Sequence, residues 1–461
     1  MKKALLLLSL ISANIMVSQV IIDDTLTIEE LIQDALIGNP NFPASNFVKS
    51  TGVDFEEDNP NGIATFNSGG TDLPFEQGIV LTTGDALSIP GMNDTTLSIG
   101  TFGWPGDIDL EVVTSIQNTF NASFIQFDFV ADVPSISLDF MMASEEYGGF
   151  ECAFADTFAF ILTNNATGIS ENLAMVPGTD TAISVITVHQ GGGGACDAVN
   201  EAYFGRYNYA IEDPNISSIN AEDSPIDFNG QTDVFVLLGD LIIGNSYTVK
   251  IVVADNTDPL FDSALFIRNS SFGAYPSIEE PPIDIVIEDT DNNGFEIFNL
   301  MENESLMLGA INTDIYQFDF SYYNSQADAE ALVNPITTPE AYINMSALET
   351  IYVNMRNPFT GKAITTSFKV AIDGDLLSVD EQLLDKVVMY PNPVESELFI
   401  HSKATNITAL EIYSLSGQLI SNQYTTKNDI NTINVLDLKS GVYLVKIISD
   451  NGTVVKRIIK Q

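Results

Sequence analysis

Ser123-Phe124-Ile125-Gln126-Phe127-Asp128-Phe129-Val130 places apolar side chains at every second position from Ile125 onward. Successive strand residues point to opposite faces, so Ile125, Phe127 and Phe129 share one face of a sheet whose other face is more polar. The same period recurs in Ser135-Ile136-Ser137-Leu138-Asp139-Phe140 and in Tyr247-Thr248-Val249-Lys250-Ile251-Val252-Val253. Asn, Gly, Asp and Pro punctuate these runs. Sheets with one apolar face bury it against one another, so a two-layer sandwich is expected. The predicted class is mainly β, a multidomain chain of antiparallel β-sandwich and immunoglobulin-like domains. One helix is predicted over 27–37, with Thr27 and Glu30 spaced as a capping box and Gly38 at the C-cap.

The 461 residues carry 17 basic and 63 acidic side chains, a net charge of -46. No Lys or Arg lies between Lys49 and Arg206. Such a field repels nucleic acid and anionic membranes and favours hard cations, calcium above all. Solubility in salty surroundings accounts for the same charge. At 45% hydrophobic and 10% aromatic the chain has enough apolar surface to build cores. The two cysteines, Cys152 and Cys196, read as a disulfide in an exported protein, with two buried thiols as the alternative. On the chain-entropy model the bond would contribute about 3–4 kcal/mol.

Met1-Lys2-Lys3 before the apolar run Ala4–Ile11 is the pattern of a secretory signal peptide, assigned to 1–19. The run is too short to span a bilayer, and no later segment offers a transmembrane helix: Val234–Ile243 is broken by Gly239 and Asp240. At the other end, Tyr390-Pro391-Asn392-Pro393, then Gly441-Val442-Tyr443, then Lys456-Arg457-Ile458-Ile459-Lys460 stand in order among short apolar runs and Gly-containing turns. This segment, 387–461, resembles the type A C-terminal sorting domain of type IX secretion cargo. The resemblance implies a β-sandwich recognised by the secretion machinery, transport across the outer membrane of a Gram-negative cell, and attachment or release outside it. Its charge is nearly balanced, so the acidity belongs to the cargo.

Between the ends, Gly78-Ile79-Val80-Leu81-Thr82-Thr83-Gly84, Ala143-Ser144-Glu145-Glu146-Tyr147, Phe154-Ala155-Asp156-Thr157-Phe158 and Ala254-Asp255-Asn256-Thr257-Asp258 follow one another within 20–275. This region resembles the choice-of-anchor L domain, which implies a β-rich extracellular domain and brings no enzymatic activity with it. Residues 280–374 look like an immunoglobulin-like spacer module, and 375–386 form an acidic linker.

Three carboxylate groups suit a metal: Glu145, Glu146 and Asp156; Asp255, Asp258 and Asp262; and the weaker Asp289, Asp291 and Asn293. Polar loop closure is the competing reading of the first two. The third copies half an EF-hand loop, but its twelfth position is Leu300 where a bidentate Glu is needed, so a weak loop or a plain turn is left. No cofactor other than calcium is indicated. His189 and His401 stand far apart, no zinc or nucleophile-elbow motif occurs, and no catalytic residue is assigned. Adjacent Glu145 and Glu146 would point to opposite faces of a strand, a poor arrangement for a glycosidase pair. Tyr203, Phe204, Tyr207 and Tyr209 could form a glycan platform or belong to the core. A non-enzymatic surface protein for adhesion, glycan or matrix binding, or structure is the leading expectation. A secreted polysaccharide-acting hydrolase is the alternative.

Overall fold

The alternating runs pair as strands. In a computed structural model, Thr119–Val130 lies antiparallel to Ser246–Asn256, with Phe127 opposite Val249 and Ile125 opposite Ile251. The structure describes residues 19–154, 156–191, 196–289, 293–309, 311, 313, 315–372, 387–402, 407–414, 419–424, 430–436, 438–439, 441–449 and 452–460. The predicted signal peptide up to residue 18, Asp291 and the linker 375–386 lie outside them. The chain divides into two units, one of residues 1–281, 305–320 and 354–365, the other of 282–304, 321–353 and 366–461.

In the first unit the described residues build two sheets. One runs, in order, Ile21–Asp23, Ile63–Asn67, Gln77–Thr82, Ser263–Arg268, Ser135–Ser144, Gly230–Thr232 and Phe204–Tyr207. The other runs Ser45–Ser50, Thr119–Val130, Ser246–Asn256, Thr157–Asn164 and Ile169–Asn172. Ile79, Leu81, Leu138 and Phe140 of the first face Phe127, Phe129, Ile251 and Phe160 of the second in one buried cluster. Phe127 meets Phe272 edge-on with ring centroids 5.0 Å apart. This is the sandwich that the period of two demands.

The outer faces are covered as well. Phe66, Val80, Met141 and Phe266 pack under Leu73, Phe75, Ile89, Ile226 and Phe228. On the second sheet, the helix Ile108–Thr114 lays Leu110 over Ala159, Ile161 and Val252. Lys250 reaches out of that face to Asp107 and Asp109, at 2.5 and 2.7 Å. The segment 354–365 joins this unit through Lys362, whose Nζ is 2.7 Å from Asp139, a carboxylate shared with Arg268. The N-terminal helix forms, with Glu30 and Thr27 exchanging their capping hydrogen bonds and Gly38 left-handed at φ 69°. Its winding differs from an α-helix: Gly38 N–H bonds to Gln33 C=O, five residues back.

Ile285–Ile287, Ala363–Ile372, Leu348–Arg356 and Asp319–Tyr323 share a further sheet. The C-terminal strands make a separate sandwich. Val387–Tyr390, Glu397–Ser402 and Ile430–Asn434 form one sheet; Leu419–Tyr424, Ile407–Ser414, Gly441–Ser449 and Gly452–Lys460 form the other. Leu398, Ile400 and Ile433 of the first pack with Leu410, Ile412, Val445, Ile447 and Ile458 of the second. No described helix is long and apolar enough to cross a membrane.

The aromatic seam between the large sheets sets the stability of the first unit. Phe127→Ala removes a fully buried ring and leaves a cavity, so unfolding in denaturant should show a loss of about 3–5 kcal/mol.

Candidate functional site

The acids of the first unit gather where strands end. Glu145 and Glu146 follow Ser135–Ser144, Asp156 precedes Thr157–Asn164, Asp255 closes Ser246–Asn256, and Asp262 precedes Ser263–Arg268. Ser144 pairs with Ser263 in one sheet and Ala254 with Thr157 in the other. The two groups separated in sequence therefore meet at one end of the sandwich. Charge acts on Asp255 from Asp156, its neighbour in the same sheet, and from Asp262 and Glu146 at strand ends of the other sheet. Asp258 stands at the rim, half-buried, with its carboxylate accepting Leu260 N–H.

Part of this cluster closes loops. Glu145 Oε1 accepts Leu97 N–H at 2.9 Å, and Asp262 accepts Ile99 N–H at 3.0 Å. Glu146 Oε2 accepts Asp156 N–H at 2.9 Å, and Asp156 Oδ1 accepts Asn256 N–H at 3.3 Å. Glu145 and Glu146 thus reach to different loops and do not face one another as an acid pair. Four oxygens are left over: Glu145 Oε2, Asp156 Oδ2 and both oxygens of Asp255 have no hydrogen-bond partner. Thr83 and Ser263 hydroxyls lie beside Asp255 and Asp156, near enough to ease their charge but outside full hydrogen-bond geometry.

Burial raises Glu145, Glu146, Asp156, Asp255 and Asp262. It pushes Glu145 up to about 8, with Asp227 and Asp262 adding repulsion, and Asp262 up to about 6. Asp156 and Asp255 are raised well above the usual carboxylate range by burial and then by nearby acids, Glu146 for Asp156 and Asp156 for Asp255. Glu146 is raised by burial and by Asp258.

Around the cluster sits an apolar rim that sequence reasoning missed. Phe150 and Phe154, on the loop between Glu146 and Asp156, are about 39% and 41% exposed. Phe150 packs on Phe154 with ring centroids 5.9 Å apart and on Phe261 at 4.7 Å. Ile99 and Phe102, on the loop held by Glu145 and Asp262, are exposed too. The available signal was two phenylalanines in a turn-rich stretch after Gly148-Gly149, with no strand or helix period to send them to a core. The expected aromatic alternatives resolve the other way: Phe204 and Tyr207 are buried, and Tyr203 and Tyr209 pack against the same core.

Cys152 and Cys196 are bonded, with Cα atoms 5.8 Å apart. Among the described residues, the group whose ligand atoms lie within 4.8 Å of one another is Glu151, His189 and Cys196. The Cys196 sulfur is held in the disulfide, and Glu151 accepts from Tyr207 Oη and Gly148 N–H, so this group is structural. Asp289 accepts Asn293 and Gly294 N–H groups and Asn293 accepts Phe295 N–H, as a turn does.

In the C-terminal sandwich the Pro-Asn-Pro segment is tied to the last strand. Asn392 accepts Ile459 N–H at 2.8 Å and donates to Arg457 C=O at 3.2 Å, and Val394 N–H bonds Ile459 C=O. Tyr390 stacks on Phe399, Tyr443 Oη donates to Lys439 C=O, and Lys460 is largely buried. Gly441 opens the strand that pairs with Gly452–Lys460, and Lys456 and Arg457 lie on that last strand.

Three stretches of the chain match known families. Residues 18–273 match the Choice-of-anchor L domain, 388–461 the Secretion system C-terminal sorting domain, and 284–375 the Flavobacterium inter-domain disulphide bond domain. Both cysteines of this chain lie in the first match and none in 284–375. Ulvan lyase NLR42 of Nonlabens ulvanivorans is 28% identical over 105 residues, 23% of this chain and 20% of the lyase. The chain thus aligns with about a fifth of that relative's length. Among solved structures, PorZ of Porphyromonas gingivalis is 13% identical over 31% of this chain and 27% of its own, at a TM-score of 0.15. The Epf adhesin domain of Streptococcus pyogenes is 10% identical over 56% and 78%, at 0.19. At these TM-scores neither likeness carries an argument.

A carboxyl raised on folding stabilises the fold most below its unfolded pKa and loses that contribution as pH rises through its folded value. In chelated buffer, stability should therefore fall as pH rises through about 6 for Asp262 and about 8 for Glu145. Glu145→Gln should flatten the upper part of that decline, read from melting temperature against pH; an unchanged profile would contradict the assignment.

Proposed function

The chain belongs to the choice-of-anchor L family, and on that premise we propose a non-enzymatic surface protein whose first domain holds an extracellular glycan or matrix ligand. Its C-terminal sorting domain makes it a secreted or cell-surface protein and implies an interaction with the type IX secretion machinery. The ligand reading rests on one observation: the exposed Phe150 and Phe154, packed on half-buried Phe261, at the acid-lined end of the sandwich. Flat aromatic faces offer stacking surface to sugar rings, and contiguous exposed apolar side chains on a soluble domain mark binding sites. The rim is carried by loops fixed from below by buried acids, which holds the rings in place before a ligand arrives.

Action on polysaccharide is the competing reading, favoured by the partial match to a protein named an ulvan lyase. The two readings separate in one assay. Immobilised and soluble polysaccharides are offered to the secreted protein, and both retention and new chain ends are measured. Retention without new ends is expected. Phe154→Ala and Phe150→Ala should each weaken it roughly tenfold, equivalent to about 1.4 kcal/mol. Release of new reducing or unsaturated ends would replace this reading with the enzymatic one, and unchanged retention in both variants would remove the rim from it.

Sorting is tested separately. Deleting residues 388–461 should leave the protein in the periplasm, detected by fractionation and immunoblot. Normal extracellular levels of the truncated chain would refute the role of this domain.

A further inference from the structure

We propose that the acid-lined end of the first sandwich binds a divalent cation, calcium by the chemistry of its donors, with Asp156 and Asp255 as central ligands and Glu146 and Asp262 beside them. The argument starts from Asp255. Its side chain is 0% exposed, and neither oxygen has a hydrogen-bond partner. Asp156, 2% exposed, also carries an unpartnered oxygen, and the pairing of Ala254 with Thr157 sets the two residues side by side at the end of one sheet. Buried charge persists in proteins where it is paired or coordinates a metal. No ion pair seen among the described residues joins a basic side chain to these acids. Among the described residues, Arg206 is bound to Asp72, Lys250 to Asp107 and Asp109, and Arg268 and Lys362 to Asp139.

The donor set selects the ion. Every candidate ligand is an oxygen: four carboxylates, with the Thr83 and Ser263 hydroxyls at their side. Zinc favours nitrogen and sulfur, and magnesium demands a small regular octahedron and keeps its waters. Calcium takes six to eight oxygens in irregular arrangements. The loops temper the remaining charge, since Glu146 and Asp262 already accept backbone N–H groups. No three of these acids bring oxygens within 4.8 Å of one another among the described residues. Binding would therefore bring these side chains together around the ion. The inference concerns the metal alone and holds or fails without any glycan.

The experiment uses the mature full-length chain, stripped with chelator. Calorimetric titration with calcium chloride should show saturable binding. Melting temperature should rise saturably in calcium, less in magnesium, and only smoothly in sodium chloride of matched ionic strength, where screening alone acts. Asp255→Asn and Asp156→Asn keep side-chain volume and remove a repelling buried charge. In chelator both should melt above the parent, and both should lose the calcium response; the exposed Asp180→Asn should keep it. That reversal of order is not expected of acids that only pin loops. Equal rises in all three salts, no heat of binding, or a calcium response intact in Asp255→Asn would each overturn the proposal. If either variant fails to fold, the titration of the unaltered chain still decides.

Discussion

Carboxylates buried at one end of the first sandwich fix what the surface there presents. A buried carboxylate needs donors, and the nearest are backbone N–H groups of the connecting loops. Glu145 and Asp262 take hold of the loop through Leu97 and Ile99; Glu146 takes hold of the loop that ends at Asp156. With their backbones fastened inward, these loops turn Ile99, Phe102, Phe150 and Phe154 outward. The polar interior and the apolar rim are two consequences of one arrangement. A loop end that is normally the most adaptable part of a sandwich is here held from inside.

The charge of the chain is distributed to the same effect. With 63 acidic and 17 basic side chains, cations are scarce, and the structure places the few in the first unit at defined points. Lys250 lies over the Phe124 ring and joins the helix Ile108–Thr114 to the outer face through Asp107 and Asp109. Arg268 and Lys362 converge on Asp139. None of these ion pairs reaches the acid-lined end. Repulsion there is therefore offset by loop donors and by raised carboxyl pKa values.

The C-terminal sandwich follows a different economy. Its acidic and basic residues nearly balance, and its core is aliphatic: Val394, Leu398, Ile400, Leu410, Ile412, Val445, Ile447 and Ile458. Asn392 binds its first segment to its last strand through two backbone hydrogen bonds.

Much of this was legible in the sequence because it is local. Period-two alternation at Ile125, Phe127 and Phe129 determines a strand with one buried face. Thr27, Glu30 and Gly38 determine a helix with both ends marked. The ordered motifs of 388–461 identify the sorting domain. The metal-suited acids were legible as two separate groups, since spacing along the chain reveals only neighbours. Tertiary structure decided that the groups meet: Asp156 and Asn256, a hundred positions apart, are brought within hydrogen-bond reach by strand pairing across the second sheet. It decided also that Phe204 and Tyr207 belong to the core while Phe150 and Phe154 face water. An aromatic ring reads the same in either place, and only long-range packing, which no local period encodes, settles which side of the loop it takes.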